Sequence, residues 1–477
     1  MFRTIGDRPS AWELLLPPEV LRLPEELARV DALLDDPAFF APFVPYFHPV
    51  LGRPSTPAEW YLRLMFLKFR YRLGYESLCA EVADSISWRR FCRIPLDGKV
   101  PHPATLMKLT TRCGSAAVAG LNEALLAKAA DAKLLRAARL RADTAVVPAS
   151  VAYPTDSGLL ARAIRRIAAT GRRIQAAGGA TRTRVRDRSR SAGSRAHGIA
   201  SRLGRRAGRE EAQAGVRRIT GELAGLAERA AADAGPLLVN ARSALRRAAA
   251  RARELAAAGV RDAVAGRRRG RLRRAVNDLA DLLDVTWRIA AQTRQRLAGI
   301  TPDGATRRVS LHDQDARPIA KGRLGKPVEF GYKAQIIGND DEIILDHNLE
   351  QGNPADAPQL APAVQRVITR TRRRPRTVTA DRGYGEKSVD DELHGLGVRT
   401  VVIPRKGRPG KARQAAEHRR AFRRTVKWRT GSEGRISSLK RGYGRDRTRL
   451  DGTEGARTRA GHGILACNLV KIAVLAS

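Results

Sequence analysis

The 477-residue chain has only four cysteines, and no two of them are spaced as a Cys-x-x-Cys pair. A disulfide framework or a structural zinc site is therefore not expected, and we predict free, buried thiols at Cys79, Cys92, Cys113 and Cys467. The N-terminal residues lack the basic and then apolar pattern of a signal peptide. No apolar run approaches the roughly 20 residues that a membrane span needs. We expect a cytoplasmic protein without a membrane partner.

Acidic residues are scarce relative to basic ones. The chain has 89 lysines and arginines against 48 aspartates and glutamates, for a net charge of +41. Residues 161–300 contain 33 arginines, no lysine and 11 acidic residues, and residues 405–449 contain 17 basic residues against three acidic ones. Charge at this density repels itself unless a polyanion neutralises it, and phosphate backbones bind such surfaces through counterion release. The composition indicates a nucleic-acid partner, although a solvated face or a basic tail would also explain the first stretch.

The first 133 residues show apolar positions three and four apart, as in 60–69, which predicts short helices. We expect one of them to begin with a hydroxyl cap at Ser55 or Thr56, with Glu59 completing the capping box. Short helices suit a small DNA-binding module, and they suit an ordinary helical core equally well.

The segment 139–147 alternates apolar with polar residues and ends in β-branched ones, which predicts a strand that contains Asp143. We expect Asp156 or Ser157 to cap the helix that follows. Alanine and arginine then supply 35 and 33 of the residues in 161–300, which predicts a helical insertion. Its middle, 181–190, lacks an apolar stripe and is expected to be mobile.

Strand patterns return after Thr306. The pattern predicts, in order, a strand at 309–311, a hairpin formed by 327–336 and 343–349, a helix from about Ala355, a strand at 376–381, a helix at 386–396 and a strand at 398–403. This order predicts an α/β fold, a mixed sheet with flanking helices that is preceded by an all-α domain and interrupted by a long helical insertion. The domains we predict are a helical DNA-binding domain at 1–133, a catalytic domain at 134–156 and 306–477, and the insertion at 157–305.

Three acidic residues stand out from their surroundings. Asp381 follows a predicted strand, where open α/β sheets place ligand groups, although an aspartate there often only caps the next helix. Asp143 lies inside a strand, where a carboxylate must be solvated, paired or bound to metal. Glu433 lies among basic residues near the start of a helix-like stretch, and an ordinary salt bridge would explain it.

At these residues the chain resembles a known family, the DDE-class transposases of bacterial insertion sequences, of the RNase H-like kind with an InsH-like N-terminal region. The resemblance covers most of the chain outside the insertion. Its segments are 52–55 through 91–92, 100–106, 143–144 to 153–157, 315–319, 352–354, 380–384, and 433–436 to 440–441.

The resemblance implies that Asp143, Asp381 and Glu433 bind two Mg²⁺ ions, for which Mn²⁺ would substitute. Such a site performs in-line phosphoryl transfer without a protein nucleophile. The implied activity is cutting at the ends of an insertion sequence, followed by joining of the 3′-hydroxyl ends to target DNA. The implied partners are double-stranded DNA and a second copy of the chain, which forms a homodimer on two ends. The protein would then be associated with the bacterial nucleoid.

A related transposase group carries a signature of Tyr, two residues, Arg, three residues, Glu, six residues and Lys. Arg429, Glu433 and Lys440 have that spacing, whereas the tyrosine position holds Val426. The resemblance suggests that Arg429 and Lys440 contact DNA phosphates. The DNA-contacting residues we predict around Glu433 are Arg429, Arg435, Lys440, Arg441 and Trp428, the last by stacking on a displaced base. An apolar core role for Trp428 is the alternative.

Two other functions agree with the same residues. A non-catalytic DNA-binding or architectural protein would need the positive charge, but it would leave the three acidic residues unexplained. An RNase H-like nuclease would use the same metal site and would hydrolyse DNA without strand transfer.

Overall fold

A six-stranded mixed sheet organises the part of the chain that contains Asp143 and Asp381. The computed structural model describes residues 1–6, 11–151, 155–203, 209–260, 262–320, 327–444, 448 and 450–476, without the side chains of residues 11, 12, 203, 209, 432, 433 and 435. The strands are β1 (Arg139–Pro148), β2 (Arg317–Ala320), β3 (Val328–Gly338), β4 (Ile344–Gln351), β5 (Thr377–Thr379) and β6 (Thr400–Val402). Their order in the sheet is β2-β3-β1-β5-β6, and β4 also pairs with β3.

The predicted hairpin is confirmed as β3 and β4, which pair antiparallel, and β3 also pairs antiparallel with β1. The connection between β3 and β4 includes Glu342, whose φ of +63° allows the chain to reverse. Gly331 lets β3 approach β1 closely, because a Cβ at this position would lie 2.2 Å from the Val147 carbonyl oxygen. Strands β5 and β6 continue the sheet in parallel with β1. The predicted mixed sheet is therefore present.

The N-terminal part is helical, as predicted. Its helices are α1 (Ala11–Leu14), α2 (Pro18–Leu21), α3 (Glu25–Leu34), α4 (Ala58–Arg70), α5 (Tyr75–Asp84), α6 (Ile86–Cys92) and α7 (Pro103–Asp131). The predicted capping box at the start of α4 is wrong, because Pro57 occupies the cap position and no side chain caps the helix. Glu59 instead accepts a hydrogen bond from the Ile5 amide at 2.8 Å.

The helices of the second half flank the sheet. They are α12 (Ala357–Thr371), α13 (Lys387–Gly395), α14 (Lys411–His418), α15 (Arg420–Gly442) and α16 (Gly452–Ala476). Helices α12 and α13 lie between strands in the chain, as predicted. The four cysteines are free and buried, which confirms the prediction for them.

Helix α16 is the one described helix that is long and apolar enough to cross a membrane by length and composition, which the sequence prediction missed. Two thirds of its apolar window is buried in the protein, where α16 packs against α7, α3, α4 and β4. The buried Asn468 side chain accepts a hydrogen bond from the Ile344 amide and donates one to the Ile344 carbonyl, both at 2.9 Å. These contacts are typical of a core helix.

The insertion consists of α8 (Asp156–Ala176), α9 (Ser189–Leu203), α10 (Arg209–Ala257) and α11 (Ala263–Leu297). The prediction that Asp156 or Ser157 caps α8 is wrong, because the Thr155 hydroxyl accepts the capping bond from the Gly158 amide at 3.1 Å. Asp156 is instead bound to Arg296 at 2.7 Å.

The predicted strand at 309–311 is also wrong, since this segment is irregular. The Ser310 hydroxyl accepts hydrogen bonds from the amides of His312 and Asp313, at 3.2 and 3.1 Å. A side chain that binds its own neighbouring amides in this way competes with strand pairing.

The chain divides into two compact units. The first, here called the sheet unit, comprises residues 1–150 and 319–477, and the second, the helical unit, comprises residues 151–318. One hydrophobic core runs through the sheet unit from Leu27 to Ala473, so the N-terminal helices share it with the sheet. A separate core lies inside the helical unit and includes residues from Leu159 to Leu311.

Candidate active site

The pairing of β1 with β5 brings Asp143 and Asp381 together. The two strands run parallel, with Arg139 opposite Thr377 and Arg141 opposite Thr379. Continuing this register by two residues places Asp143 opposite Asp381. Neighbouring strands lie about 4.8 Å apart, so the two backbones are adjacent although 237 residues separate them in the chain.

Asp143 is almost fully buried and is paired with a cation. Its residue is 8% exposed. One carboxylate oxygen accepts a hydrogen bond from the Thr144 amide at 2.8 Å, and the other lies 3.4 Å from Nη1 of Arg429. The strand aspartate is therefore compensated, as a buried carboxylate must be.

Asp381 caps a short turn and also faces a cavity. Its Oδ1 accepts a hydrogen bond from the Gly383 amide at 2.8 Å and so caps a 3₁₀ turn at Arg382–Tyr384. The same side chain also lines a cavity with Asp143. Burial raises the pKa of Asp381, and the nearby negative charges of Asp143 and Asp356 raise it further. The Gly383 amide and Arg429 act in the opposite direction.

Asp356 is a residue of this site that the sequence prediction missed. It precedes α12, and its Oδ1 lies 2.8 Å from Nζ of Lys333 on β3. A Cβ at Gly383 would lie 2.9 Å from Oδ1 of Asp381 and 3.1 Å from Oδ2 of Asp356, so this glycine fits between two carboxylates. The signal in the sequence was an acid two residues after the segment 352–354, and that segment was already part of the resemblance.

Helix α15 forms another wall of the cavity through Arg429, Ile436, Ser437 and Lys440. Glu433 belongs to the same helix, four residues after Arg429 and seven before Lys440, which is one helical face. The side chains of Glu433 and Arg435 lie outside the described residues. Arg441 is exposed and does not line the cavity.

Trp428 is half-buried and contacts two arginines. The guanidinium carbons of Arg139 and Arg141 lie 4.7 and 5.0 Å from the centre of its ring. Arg141 also donates a hydrogen bond to the Trp428 carbonyl at 3.1 Å, and Gly431 leaves room for this guanidinium. These contacts tie α15 to β1, the strand that carries Asp143.

The cavity has a volume of about 540 Å³ and is rich in charge. Its acidic residues are Asp143, Asp381, Asp356 and Glu329, and its basic residues are Lys333, Arg429 and Lys440. Beneath it, the buried Tyr384 accepts a hydrogen bond from the Gln335 amide group at 3.0 Å. Within the described residues, no three acidic, histidine or cysteine side chains form a group that could hold a metal ion. Carboxylate oxygens are nonetheless the donors that Mg²⁺ prefers, and two of them repel each other here.

A second charged cleft lies among the N-terminal helices. It has a volume of about 1160 Å³, and its described lining contains five basic residues and hydroxyl side chains but no carboxylate. The basic residues are Arg3, Arg53, Lys99, Lys108 and Arg112, and the hydroxyl residues are Ser55, Thr56, Thr105 and Thr111. Such a surface can bind phosphates.

Two family models match the chain. The first, described as Transposase domain (DUF772), matches residues 19–112, and the second, described as Transposase DDE domain, matches residues 299–469. Together they cover more than half of the chain. Asp381 and Glu433 lie inside the second match, whereas Asp143 lies outside both. The second match agrees with the RNase H-like mixed sheet. No curated protein and no solved structure matches the chain significantly.

Proposed function

The chain belongs to the DDE transposases of insertion sequences, and from this premise we propose that it cuts the ends of its element and joins them to target DNA. In the first step, water attacks the phosphorus at an element end, and the bond from phosphorus to the 3′-oxygen breaks. In the second step, the freed 3′-hydroxyl attacks a target phosphorus and the target 3′-oxygen leaves. Each step forms one phosphorus–oxygen bond and breaks one, so no ATP is needed.

The observation that carries this proposal is the convergence of Asp143 and Asp381 in one charged cavity. Asp143, Asp381 and Glu433 would hold two Mg²⁺ ions, for which Mn²⁺ would substitute. When bound, the ions would make the attacking oxygen more nucleophilic and stabilise the leaving oxygen. Burial and then the negative charge of Asp143 raise the pKa of Asp381, and a cationic ligand between these carboxylates would offset both effects.

The chain's own residues would position the DNA. Arg429 and Lys440 line the cavity on the helical face that also carries Glu433, so their cations can contact the phosphates beside the cut. We propose the same class of contact for Arg435 and Arg441. The stacking of Arg139 and Arg141 on Trp428 favours a positioning role for this ring over stacking on a displaced base.

The basic N-terminal cleft would bind the DNA of the element end, because it combines five cations with hydroxyl donors. This assigns the predicted DNA-binding role to residues 1–133 and the chemistry to the sheet. Because an element has two ends, we propose that two copies of the chain assemble on them. The reaction would take place on DNA in the bacterial cytoplasm.

The test is a reaction of the purified protein with Mg²⁺ and a plasmid that carries the terminal repeats flanking its reading frame. We expect nicked or cut ends and, in the presence of target DNA, joined products on a sequencing gel. Asp143→Asn should abolish both while DNA binding persists. Asp131→Asn is the matched control, since Asp131 is exposed at the end of α7.

Each other outcome identifies a different protein. Cutting without joined products would indicate a nuclease. Binding without cutting by the unaltered chain would indicate an architectural protein. Normal cutting by Asp143→Asn would overturn the assignment of the site.

A further inference from the structure

An arginine-lined groove lies in the helical unit, which contains none of Asp143, Asp381 and Glu433. It is formed by the end of α8 and the first half of α11, and its volume is about 440 Å³. Five of its nine lining residues are arginines, the other four are alanine or valine, and none is acidic. The arginines are Arg173, Arg267, Arg268, Arg271 and Arg274. We call this surface the arginine groove.

Two of the five arginines are held in place by the protein. Nε of Arg268 donates a hydrogen bond to the Ala177 carbonyl at 3.1 Å. Its guanidinium occupies the space above Gly178, where φ is +80° and a Cβ would lie 2.2 Å from Nη2. Arg173 forms an ion pair with Asp278 at 3.1 Å. These contacts fix the end of the groove at the C-terminus of α8.

The other three arginines are exposed, and within the described residues they have no hydrogen-bond or ion-pair partner. Arg267, Arg271 and Arg274 are four and three residues apart, so they lie on one face of α11. With a rise of 1.5 Å per residue they span about 10 Å. One strand of duplex DNA places about three phosphates in that length of the helix axis. Buried Leu272 and Val276 anchor this part of α11 in the core of the unit.

The positive surface continues along α8. A second cavity, of about 390 Å³, is lined by Arg162, Arg165 and Arg166 on the same helix. Arg162, Arg166 and Arg173 are four and seven residues apart, which places them on one helical face. From Arg162 to the end of α8 the helix rises about 20 Å. One DNA strand places about six phosphates in that length of the duplex axis.

Asp278 pairs with Arg173 of the groove, and other acidic residues of the helical unit compensate arginines outside it. Asp187, Asp233 and Glu228 pair with Arg172, Arg188 and Arg294. Among the described residues that line the two cavities, none is acidic. Protein partners are usually bound through aromatic or large aliphatic anchors, and the arginine groove offers only alanine and valine between its cations. Its chemistry suits a regular array of phosphates better than an acidic peptide.

We infer that the helical unit carries a DNA-binding surface of its own, the arginine groove, which holds backbone phosphates of duplex DNA without reading their sequence. This inference rests on the proposed function in that DNA is the partner, but it does not depend on catalysis. It assigns the insertion a share of the DNA affinity of the whole chain.

The test measures the affinity of the full-length protein for a fluorescent duplex of about 30 base pairs and unrelated sequence, in EDTA, as a function of salt concentration. The variant is Arg267→Gln, Arg271→Gln and Arg274→Gln combined. The slope of log affinity against log salt is negative, and each lost phosphate contact reduces its magnitude by about 0.9, so the magnitude should fall by about 2 to 3. Arg271→Gln alone should lower it by about 1.

The matched control removes the same charge from α10, by Arg217→Gln, Arg242→Gln and Arg247→Gln. These three arginines are exposed and lie outside the groove. An equal slope for the variant and the control would overturn the inference, as would a variant that loses affinity for polyglutamate but not for DNA. Because no divalent metal is present, a failure here differs from the absence of cutting, which would contradict the proposed function instead.

Discussion

The cavity that contains Asp143 and Asp381 in the sheet unit and the arginine groove of the helical unit differ in the burial and in the pairing of their charged side chains. In the cavity, carboxylates are buried or half-buried, and cations compensate them, as Arg429 does for Asp143 and Lys333 for Asp356. In the groove, Arg267, Arg271 and Arg274 are exposed, and they have no partner among the described residues.

This difference separates two ways of handling DNA. A buried site fixes the position of each charged atom, because a misplaced buried charge is costly, and it is therefore suited to chemistry. An exposed row of arginines is screened by water and tolerates small displacements, so it is suited to holding a backbone. Substitutions of the carboxylates in the cavity should change the rate of cutting at constant DNA affinity, whereas substitutions in the groove should change DNA affinity without changing the chemistry.

After the loss of cutting expected from Asp143→Asn, the largest effect is expected from Gly383→Ala. The new Cβ would lie 2.9 Å from Oδ1 of Asp381 and 3.1 Å from Oδ2 of Asp356, so both carboxylates would have to move. A misplacement of about 1 Å at a reacting centre costs about 100-fold in rate, which sets the upper size of the effect. We expect a loss of up to that size in the cutting assay, with unchanged DNA affinity.

The control for this glycine is Gly395→Ala at the end of α13, where a Cβ would meet no atom within 4 Å. Cutting by Gly383→Ala at the rate of the unaltered chain would show that the position of these carboxylates is not critical. The proposed difference between a cavity that needs fixed positions for its charges and a groove that tolerates small displacements would then be unsupported.

The next effect concerns stability, in Asn468→Leu. Asn468 is fully buried, and its side chain satisfies both the amide and the carbonyl of Ile344. Leucine would leave two buried backbone groups without partners, at a cost of about 3 kcal/mol in the free energy of unfolding. Thermal denaturation would measure it as a lower Tm.

The helical unit provides the comparison, Asn277→Leu on α11, because Asn277 is exposed. We expect a change within about 0.5 kcal/mol there. Equal losses for the two variants would mean that the buried network around α16 contributes no more to stability than a surface side chain does.

The sequence was sufficient for five of the six strands, all except β2, and it drew attention to two of the carboxylates that line the cavity. Alternation and β-branched residues located β1, β3 and β4, and the scarcity of acids in strands drew attention to Asp143. The parallel register that brings Asp143 opposite Asp381 is a tertiary property, so it could only be expected from the resemblance.

The failures have local physical causes. The predicted strand at 309–311 is displaced by the bonds of the Ser310 hydroxyl to the following amides, which no periodicity reveals. Glu59 fits a capping box, but the distant Ile5 amide takes its carboxylate. Asp356 was missed because its role depends on Lys333 and Gly383, which lie elsewhere in the chain. The side chain of Glu433 lies outside the described residues, so its place in the site stays a prediction.

A smaller effect is expected from the buried His462, which lies 5.4 Å from the ring of Phe69 on α4. Burial lowers the pKa of His462 from 6.5 to about 3, and the charge of Lys68 acts in the same direction. Between these values the unfolded chain binds a proton that the folded chain does not. The contribution of His462 to stability is therefore complete above pH 6.5 and is lost as the pH falls, by about 1.4 kcal/mol per pH unit.

His462→Phe should remove this component, so the variant should lose less stability than the unaltered chain between pH 7 and pH 5.5. Chemical denaturation followed by tryptophan fluorescence at both values measures the difference. Parallel losses in the two proteins would show that the imidazole is protonated in the folded state as well.

The smallest effect is expected in the helical unit, from Glu228→Gln. Glu228 accepts two hydrogen bonds from Arg294, at 2.7 and 2.6 Å, and the pair is partly exposed. Arg294 lowers the pKa of Glu228, so the contribution of this carboxylate is present above its ordinary value of 4.5 and is lost as the pH falls. Because water screens the pair, we expect a loss below about 1 kcal/mol at neutral pH, and a smaller one in high salt. A loss as large as that of Asn468→Leu would mean that the ion pairs of the helical unit stabilise it as strongly as buried hydrogen bonds stabilise the sheet unit.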